Sequence, residues 1–177
     1  MSADSLASVR SGGTALRWLW LSALVVVADQ VTKWLVVERL ALYERIELLP
    51  VLGLTRLHNV GAAFSFLSDA SGWQRWFFIL LAVIVTIMVG IWLRRLPRRG
   101  RGWLAASLAL IVGGAVGNVI DRIWHGHVID FVSVHWERWF FPAFNVADSA
   151  ITVGAVILIV DSFFDSRRGR GRTTSSH

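Results

Sequence analysis

Two aspartates stand beside long apolar segments in a chain that otherwise keeps charge out of its apolar stretches: Asp130, within Val128–Val132, and Asp148, shortly after Pro142. A carboxylate is costly to hold in lipid unless it faces a cavity, a partner or water. Two carboxylates that share a proton can also activate a water molecule for hydrolysis. These residues therefore predict the site of a membrane-embedded hydrolase.

The separation of the two aspartates limits how they can meet. They are 18 positions apart (148 − 130) with Pro142 between them, so they do not lie on one continuous helix. They can meet only if the intervening segment folds back over the third and fourth apolar helices. Asp148 also has a structural alternative, because Asn145 or Asp148 could cap the fourth helix. Asp130 has no comparable alternative in its apolar run.

Further polar residues lie in or next to the apolar segments. Asp29 and Lys33 are spaced i, i+4, so they can pair on one helix face, either as a structural ion pair or as substrate contacts. Asn118, Asp121 and Arg122 cluster at the outer end of the third segment. They could form an end-of-helix ion pair with a hydrogen-bonding helper, or they could belong to a site.

Small residues mark two places where backbones can approach each other closely. Gly113, Gly114 and Gly117 predict a helix-packing face in the third segment. Asn59 and Gly61 begin a stretch, residues 59–65, that combines a polar amide with small side chains.

Other site chemistries are disfavoured. The chain has no cysteine, which excludes disulfides, thiolate nucleophiles and cysteine-based metal sites. His125, His127 and His135 match no zinc-binding pattern, and no serine lies in a GxSxG turn. We therefore expect neither a metal nor another cofactor.

The composition is typical of a membrane protein. Of the 177 residues, 55% are hydrophobic and ten are Trp, and the mean hydropathy is +0.57. The net charge of +6 could suggest nucleic-acid binding. The arginines, however, cluster at the ends of apolar runs, which indicates membrane topology and no nucleic-acid partner.

Four apolar runs are long enough to cross a hydrocarbon layer of roughly 30 Å. They cover about residues 18–37, 73–93, 103–120 and 149–164. The first contains Asp29 and Lys33 and could instead be a cleaved signal peptide. Its apolar stretch continues to Val37 without a small-residue cleavage site, so we interpret it as an uncleaved helix.

Arginine clusters predict the orientation of the chain. They precede the first span, separate the second from the third and follow the fourth, so four crossings place all of them in the cytoplasm with both termini. Residues 1–15 and 167–177 are then expected to be disordered cytoplasmic tails around one domain at 16–166. Segments 38–72 and 121–147 face outward.

The two outer segments contain structure of their own. Residues 46–54, with Pro50 and Gly53 as breakers, predict short strands and hence a small extracytoplasmic sheet. The aromatic residues 135–142 predict an outer amphipathic loop or helix that rests at headgroup level or acts as a lid. The predicted fold is an all-α polytopic membrane protein with four transmembrane helices, this small β-sheet and this outer loop or helix.

Four sequence blocks together resemble lipoprotein signal peptidase, the type II signal peptidase of bacteria. The blocks are Asp29–Lys33 (DQVTK), Asn59–Ser65 (NVGAAFS), Gly113–Arg122 (GGAVGNVIDR) continuing to Gly126–Phe131 (GHVIDF), and Pro142–Ile151 (PAFNVADSAI). The resemblance extends from about residue 16 to 161, and the order and spacing of the blocks are those of the family.

The resemblance implies an aspartic endopeptidase of the inner membrane, without a cofactor and acting as a monomer among membrane lipids. Its substrate would be a prolipoprotein with a diacylglyceryl-modified cysteine, cleaved on the N-terminal side of that cysteine near the periplasmic face. The matched positions make Asp130 and Asp148 the catalytic pair. The matched supporting or substrate-binding residues are Asp29, Lys33, Asn59, Gly61, Asn118, Arg122 and Asn145.

Two other functions would fit the intramembrane polar residues. A small proton-coupled carrier could use the carboxylates to bind an ion. A non-catalytic assembly factor could use them to hold helices together. The sequence shows no internal repeat of the kind many carriers have, and its carboxylates gather at the outer interface.

Overall fold

The computed structural model describes residues 15–61, 72–96 and 100–173. A short 3₁₀ helix, Ala15–Trp18, precedes the first long helix. The elements are α1 (Leu19–Arg39), β1 (Arg45–Leu49), β2 (Leu52–Asn59), α2 (Trp73–Arg95), α3 (Gly102–Trp124), β3 (Val128–Trp136), β4 (Trp139–Phe140) and α4 (Val146–Thr173). The predicted N-terminal tail lies almost entirely outside the described residues.

Four helices are long and apolar enough to cross a membrane, which confirms the four predicted spans. The qualifying stretches are Ala15–Arg39, Trp73–Arg95, Gly102–Trp124 and Val146–Phe164. Helix α3 lies at the centre and packs against the other three, which explains why it is the most buried. The remaining three present apolar side chains outward, as expected of helices that face lipid.

The predicted glycine face of α3 permits its close packing. A Cβ atom on Gly113 would lie 2.9 Å from the backbone oxygen of Ser22 on α1, and one on Gly114 would collide with the backbone oxygen of Ala147 on α4. A Cβ on Gly117 would lie 2.7 Å from Asp29 Oδ2. The glycines thus bring α1 and α4 close to α3 at the level of the polar residues.

A four-stranded antiparallel sheet with the order β1-β2-β3-β4 lies beyond the helix ends. The first outer segment contributes β1 and β2, as predicted. The second contributes β3, in which valine and isoleucine favour an extended chain, and β4. Residues 135–142, predicted as a loop or helix, instead include a tight hairpin that turns at Glu137, where φ is 52°.

The helix boundaries differ from the predicted ones at the C-terminal side of the chain. Helix α4 begins at Val146, three residues earlier than predicted, because Asn145 caps it. It also continues to Thr173, into the segment 167–177 that was predicted to be disordered. Residues 174–177 lie outside the described part of the chain.

Candidate active site

The two aspartates come from different elements that meet at the outer end of the bundle. Asp130 lies on β3, opposite Leu57 of β2, and only 3% of it is exposed. Asp148 lies in the first turn of α4 and is half-buried. The segment between them folds back, with Phe144 forming a bridge to Val132 of β3. The outer segment therefore folds back, as it must if the two carboxylates are to meet.

Asp130 is held by two amide groups. Its Oδ2 accepts a hydrogen bond of 2.9 Å from Asn59 Nδ2, and its Oδ1 accepts one of 2.8 Å from Asn145 Nδ2. Burial raises the pKa of Asp130 to about 6. The amide hydrogen bonds oppose this shift, whereas the nearby charge of Asp148 adds to it. The buried carboxyl group therefore holds a proton more readily than an ordinary aspartate does.

Asp148 and Asn145 form a reciprocal cap at the start of α4. Asn145 Oδ1 accepts from the Asp148 backbone N–H at 2.9 Å, and Asp148 Oδ2 accepts from the Asn145 backbone N–H at 3.3 Å. The other carboxylate oxygen, Oδ1, accepts a hydrogen bond of 2.8 Å from Asn118 Nδ2. The structural alternative for Asp148 is thus correct, and it coexists with a position next to Asp130.

Asn145 connects the two carboxylates directly. Its fully buried side chain donates to Asp130 Oδ1, and its backbone N–H donates to Asp148 Oδ2. Its Nδ2 also lies 3.2 Å from Asn118 Oδ1 and 3.4 Å from the Ile129 carbonyl oxygen. One side chain therefore fixes the start of α4 relative to β3.

A buried ion cluster lies beneath this pair. Lys33 Nζ is 2.7 Å from Asp29 Oδ2, which confirms the predicted i, i+4 pair, and 2.8 Å from Asp121 Oδ2. It also donates to Asn118 Oδ1 at 3.1 Å. The side chains of Lys33, Asp29 and Asp121 are at most 2% exposed. Asp121 therefore pairs with Lys33, and not with Arg122 as the end-of-helix alternative assumed.

The ion cluster also anchors both elements that carry the aspartates. Asp29 Oδ1 accepts from the Ala147 backbone N–H at 2.9 Å, in the first turn of α4. Asp121 Oδ2 accepts from the Ile129 backbone N–H at 3.0 Å, next to Asp130 on β3. Asp29 is completely buried, and its carboxylate contacts both α4 and Lys33.

Gln30 belongs to the cluster, although the sequence analysis did not select it. Its Nε2 donates to Asp121 Oδ1 at 2.9 Å, to Asp29 Oδ2 at 3.2 Å and to the Gly117 carbonyl oxygen at 3.3 Å. The sequence feature that could have identified Gln30 is its position next to Asp29 in an apolar span.

Gly61 fixes the amide of Asn59. The Gly61 backbone N–H donates to Asn59 Oδ1 at 2.8 Å, which leaves Asn59 Nδ2 to donate to Asp130. Gly61 has a φ of 103°, a backbone conformation that residues other than glycine rarely adopt. A Cβ atom there would also collide with the ring of Phe78. Both constraints require glycine at this position.

Arg122 brings a positive charge to the pair of aspartates. Its guanidinium group interacts electrostatically with Asp148, Asp130 and Asp121, and its Nη1 donates to the Asn118 carbonyl oxygen at 3.3 Å. Its Cζ lies 4.9 Å from the centre of the Phe78 ring. Phe78 was not predicted to belong to the site, because in the sequence it looks like any other apolar residue of the second span.

Two apolar cavities reach this cluster from different sides. One of about 440 Å³ lies between residues 141–144 and the first turns of α4, with Asp148 in its wall. The other, of about 310 Å³, lies between α2, α3 and α4 and has Asn118 and Arg122 in its wall. A ligand with an apolar part and a polar reacting group would match such cavities.

The histidines do not form a metal site in the described part of the chain. No group of three His, Cys, Asp or Glu side chains there could hold a metal ion. His127 stacks on His58 with ring centres 3.7 Å apart, and burial lowers the pKa of both imidazoles. His135 instead lies 2.7 Å from the guanidinium group of Arg45.

Comparison with known proteins assigns the chain to a family. The model of the signal peptidase (SPase) II family matches residues 21–164. The chain belongs to that family of aspartic peptidases. The matched range contains every residue of the site described above.

Individual relatives agree with this assignment. The chain is 54% identical over 156 residues to a lipoprotein signal peptidase of Pseudomonas syringae pv. tomato, covering 87% of this chain and 90% of the relative. It is 56% identical over 150 residues to a lipoprotein signal peptidase of Pseudomonas putida, covering 84% and 87%.

A solved structure described as a bacterial membrane enzyme has the same fold. It superposes with a TM-score of 0.74 at 29% sequence identity, covering 85% of this chain and 89% of that one. Family, fold and the membrane-spanning helices together identify a membrane-embedded bacterial peptidase.

Proposed function

We propose that this peptidase removes the signal peptide from diacylglyceryl-modified prolipoproteins, cleaving on the N-terminal side of the lipidated cysteine with Asp130 and Asp148 as its catalytic pair. The observation that carries this proposal is the link through Asn145, which donates its side-chain amide to Asp130 Oδ1 and its backbone N–H to Asp148 Oδ2, so that two carboxylates from different elements share one hydrogen-bonding partner. Two close carboxylates that share a proton can activate a water molecule for hydrolysis.

The environments of the two aspartates support different starting roles. Asp130 is the more buried and its pKa is raised to about 6, which suits it to hold the shared proton. Asp148 is more exposed and lies at a helix N-terminus, where partial positive charge attracts a carboxylate. We assign Asp148 as the base and Asp130 as the acid in the first step.

Hydrolysis then proceeds in two steps. Asp148 takes a proton from a water molecule as the water oxygen bonds to the scissile carbonyl carbon, while Asp130 donates its proton to the carbonyl oxygen. In the second step the C–N bond breaks and Asp148 passes its proton to the leaving nitrogen. Asp130 recovers its proton from the diol as the new carboxyl group forms, so the pair returns to its starting state.

We assign Arg122 the role of stabilising the negative charge that develops on the oxygen of the scissile carbonyl group. The side-chain amide nitrogens of Asn59, Asn118 and Asn145 already donate to the two aspartates. The guanidinium group lies within electrostatic range of both carboxylates and offers several N–H donors. The three amides instead hold the carboxylates in place.

The two apolar cavities suit an amphiphilic substrate. A lipid-modified precursor can keep its acyl chains in apolar surroundings while the peptide bond reaches the polar cluster. We propose that the protein lies in the inner membrane as a monomer, with both termini cytoplasmic and the site near the periplasmic face. Its partners would then be prolipoproteins and membrane lipids, with no nucleic acid.

The test is cleavage of a lipid-modified prolipoprotein by the purified protein in lipid nanodiscs. Mass spectrometry should find a product that begins at the lipidated cysteine, together with the free signal peptide. The same precursor without its diacylglyceryl group is the matched control and should be cleaved at least about tenfold more slowly. Cleavage at another bond, or equal cleavage of both precursors, would contradict the proposal.

A further inference from the structure

One aromatic ring touches two parts of the site that are distant in sequence. The ring of Phe78 on α2 lies under the guanidinium group of Arg122, with Cζ 4.9 Å from the ring centre. The same ring lies against Gly61, so closely that a Cβ atom on this glycine would collide with it. Phe78 therefore contacts the turn that holds Asn59 as well as the arginine beside the aspartates.

Such a support helps to fix Arg122 because the hydrogen bond that this residue donates is long. Its hydrogen bond to the Asn118 carbonyl oxygen measures 3.3 Å, near the upper end of the range for N–H···O bonds. An arginine side chain has many rotamers, and ordering them costs entropy. The flat face of an aromatic ring restricts the guanidinium plane and attracts its charge.

The position of Phe78 on α2 places its ring beside the polar residues of the site. It is partly buried at the wall of the 310 Å³ cavity, which it shares with Asn118 and Arg122. Its neighbour Phe77 is 48% exposed on the outer surface of α2. The ring of Phe78 is thus the aromatic group that α2 turns toward the site.

We infer that Phe78 is a positioning residue, which holds the guanidinium group of Arg122 over the reacting bond. This inference rests on the proposed peptidase function, and it adds a residue that acts through Arg122 without touching the reacting atoms. Its effect should therefore appear in kcat more than in KM.

The test compares substitutions that keep or remove the aromatic face. Phe78→Leu retains an apolar side chain but loses the ring, and kcat should fall about 3- to 30-fold, the range expected from one cation–π contact. KM should change less than about twofold. Phe78→Tyr keeps the face of the ring and should restore kcat to within about threefold of the wild type.

Trp76→Leu is the matched control on the same helix. Trp76 is 63% exposed and carries its own cation–π contact, with Arg75 Cζ 5.2 Å from its ring, outside the cluster of aspartates. Its removal tests whether the loss of any such pair from α2 lowers activity. We expect kcat to stay within about twofold of the wild type.

A double-mutant cycle separates positioning from a general structural role. In an Arg122→Gln background, Phe78→Leu should cost less than about twofold in kcat, because the group that the ring positions is already missing. Additive losses, or equal losses in Phe78→Leu and Trp76→Leu, would overturn the inference while wild-type cleavage still upheld the proposed function. A wild-type protein that does not cleave would overturn both.

Discussion

Lys33 donates a hydrogen bond of 3.1 Å to Asn118 Oδ1, and this contact determines which way the Asn118 amide faces. With its oxygen held by the ammonium group, Asn118 can present only its Nδ2 to Asp148, at 2.8 Å. The buried lysine thus orients an amide that binds an aspartate of the pair, although Lys33 itself forms its ion pairs with Asp29 and Asp121.

Removal of the Lys33 charge should act mainly through stability. Lys33→Met would leave Asp29 and Asp121 as an unpaired, fully buried carboxylate pair, which should cost about 3–5 kcal/mol of unfolding free energy. Thermal unfolding in detergent would measure the loss. Lys33→Met combined with Asp29→Asn should recover part of it. A Lys33→Met protein of normal stability would show that the cluster does not hold the bundle together.

The proposed pair should respond to amide substitution as a chemical unit. Asp130→Asn and Asp148→Asn should each lower kcat by about 10³-fold or more, because an amide cannot cycle a proton. The double variant should be little slower than either single one. Circular dichroism and size-exclusion profiles would establish that the variants fold. Substantial turnover by either folded variant would end the aspartate mechanism.

Asp130 should make stability depend on pH. Its pKa is raised from 3.8 to about 6, so between these values the folded chain binds more protons than the unfolded chain. Stability should therefore fall as the pH rises from about 4 to 6, by an amount on the order of 2–3 kcal/mol. Unfolding temperatures across this range would measure it. The fall should be smaller in Asp130→Asn by the share that Asp130 contributes, because this variant has no proton to lose at that position.

Two glycines with positive φ offer a paired test of the Asn59 turn. Gly61→Ala would place a methyl group against Phe78 in an unfavourable backbone conformation, and kcat should fall at least about tenfold as Asn59 loses its anchor. Gly72 has a φ of 85° but open space around its Cβ position. Gly72→Ala should cost only about 1 kcal/mol of stability with normal kcat. Equal activities would contradict this account of Gly61.

The predicted orientation is testable with fusion reporters. An enzyme that is active only outside the cytoplasm should be silent when fused after Arg101 and active when fused after Trp136. The reason is that one arginine cluster separates the second span from the third, whereas Trp136 lies in the sheet strand between the third span and the fourth. Reversed signals would place the aspartates on the cytoplasmic side.

Local patterns made part of this architecture predictable. Hydropathy located the four spans, and i, i+4 spacing indicated the pair of Asp29 and Lys33, because both depend on neighbours along one helix. The contact of Lys33 with Asp121, 88 positions away (121 − 33), depends on how α1 packs against α3. No periodicity in the sequence encodes that packing, so the second partner of Lys33 was not foreseen.

The strand β3 and the ring of Phe78 were missed for related reasons. Residues 128–132 are apolar apart from Asp130, so they lack the alternation that marks a half-buried strand. Phe78 stands in a span whose residues are nearly all apolar, and the face it turns toward Arg122 is set by tertiary packing. The resemblance of the four blocks, in contrast, directed attention to Asn59 and Asn145, which the structure brings to Asp130.

The two aspartates have opposite effects on folding, because Asp148 completes the reciprocal cap of α4 whereas Asp130 is buried. Asp148 contributes to folding because its carboxylate and backbone complete the helix cap with Asn145. Asp130 opposes folding at neutral pH because its charge is buried. Random mutagenesis selected only for thermal tolerance should therefore accept Asp130→Asn, which removes the buried charge, more readily than changes at Asp148 that remove the cap.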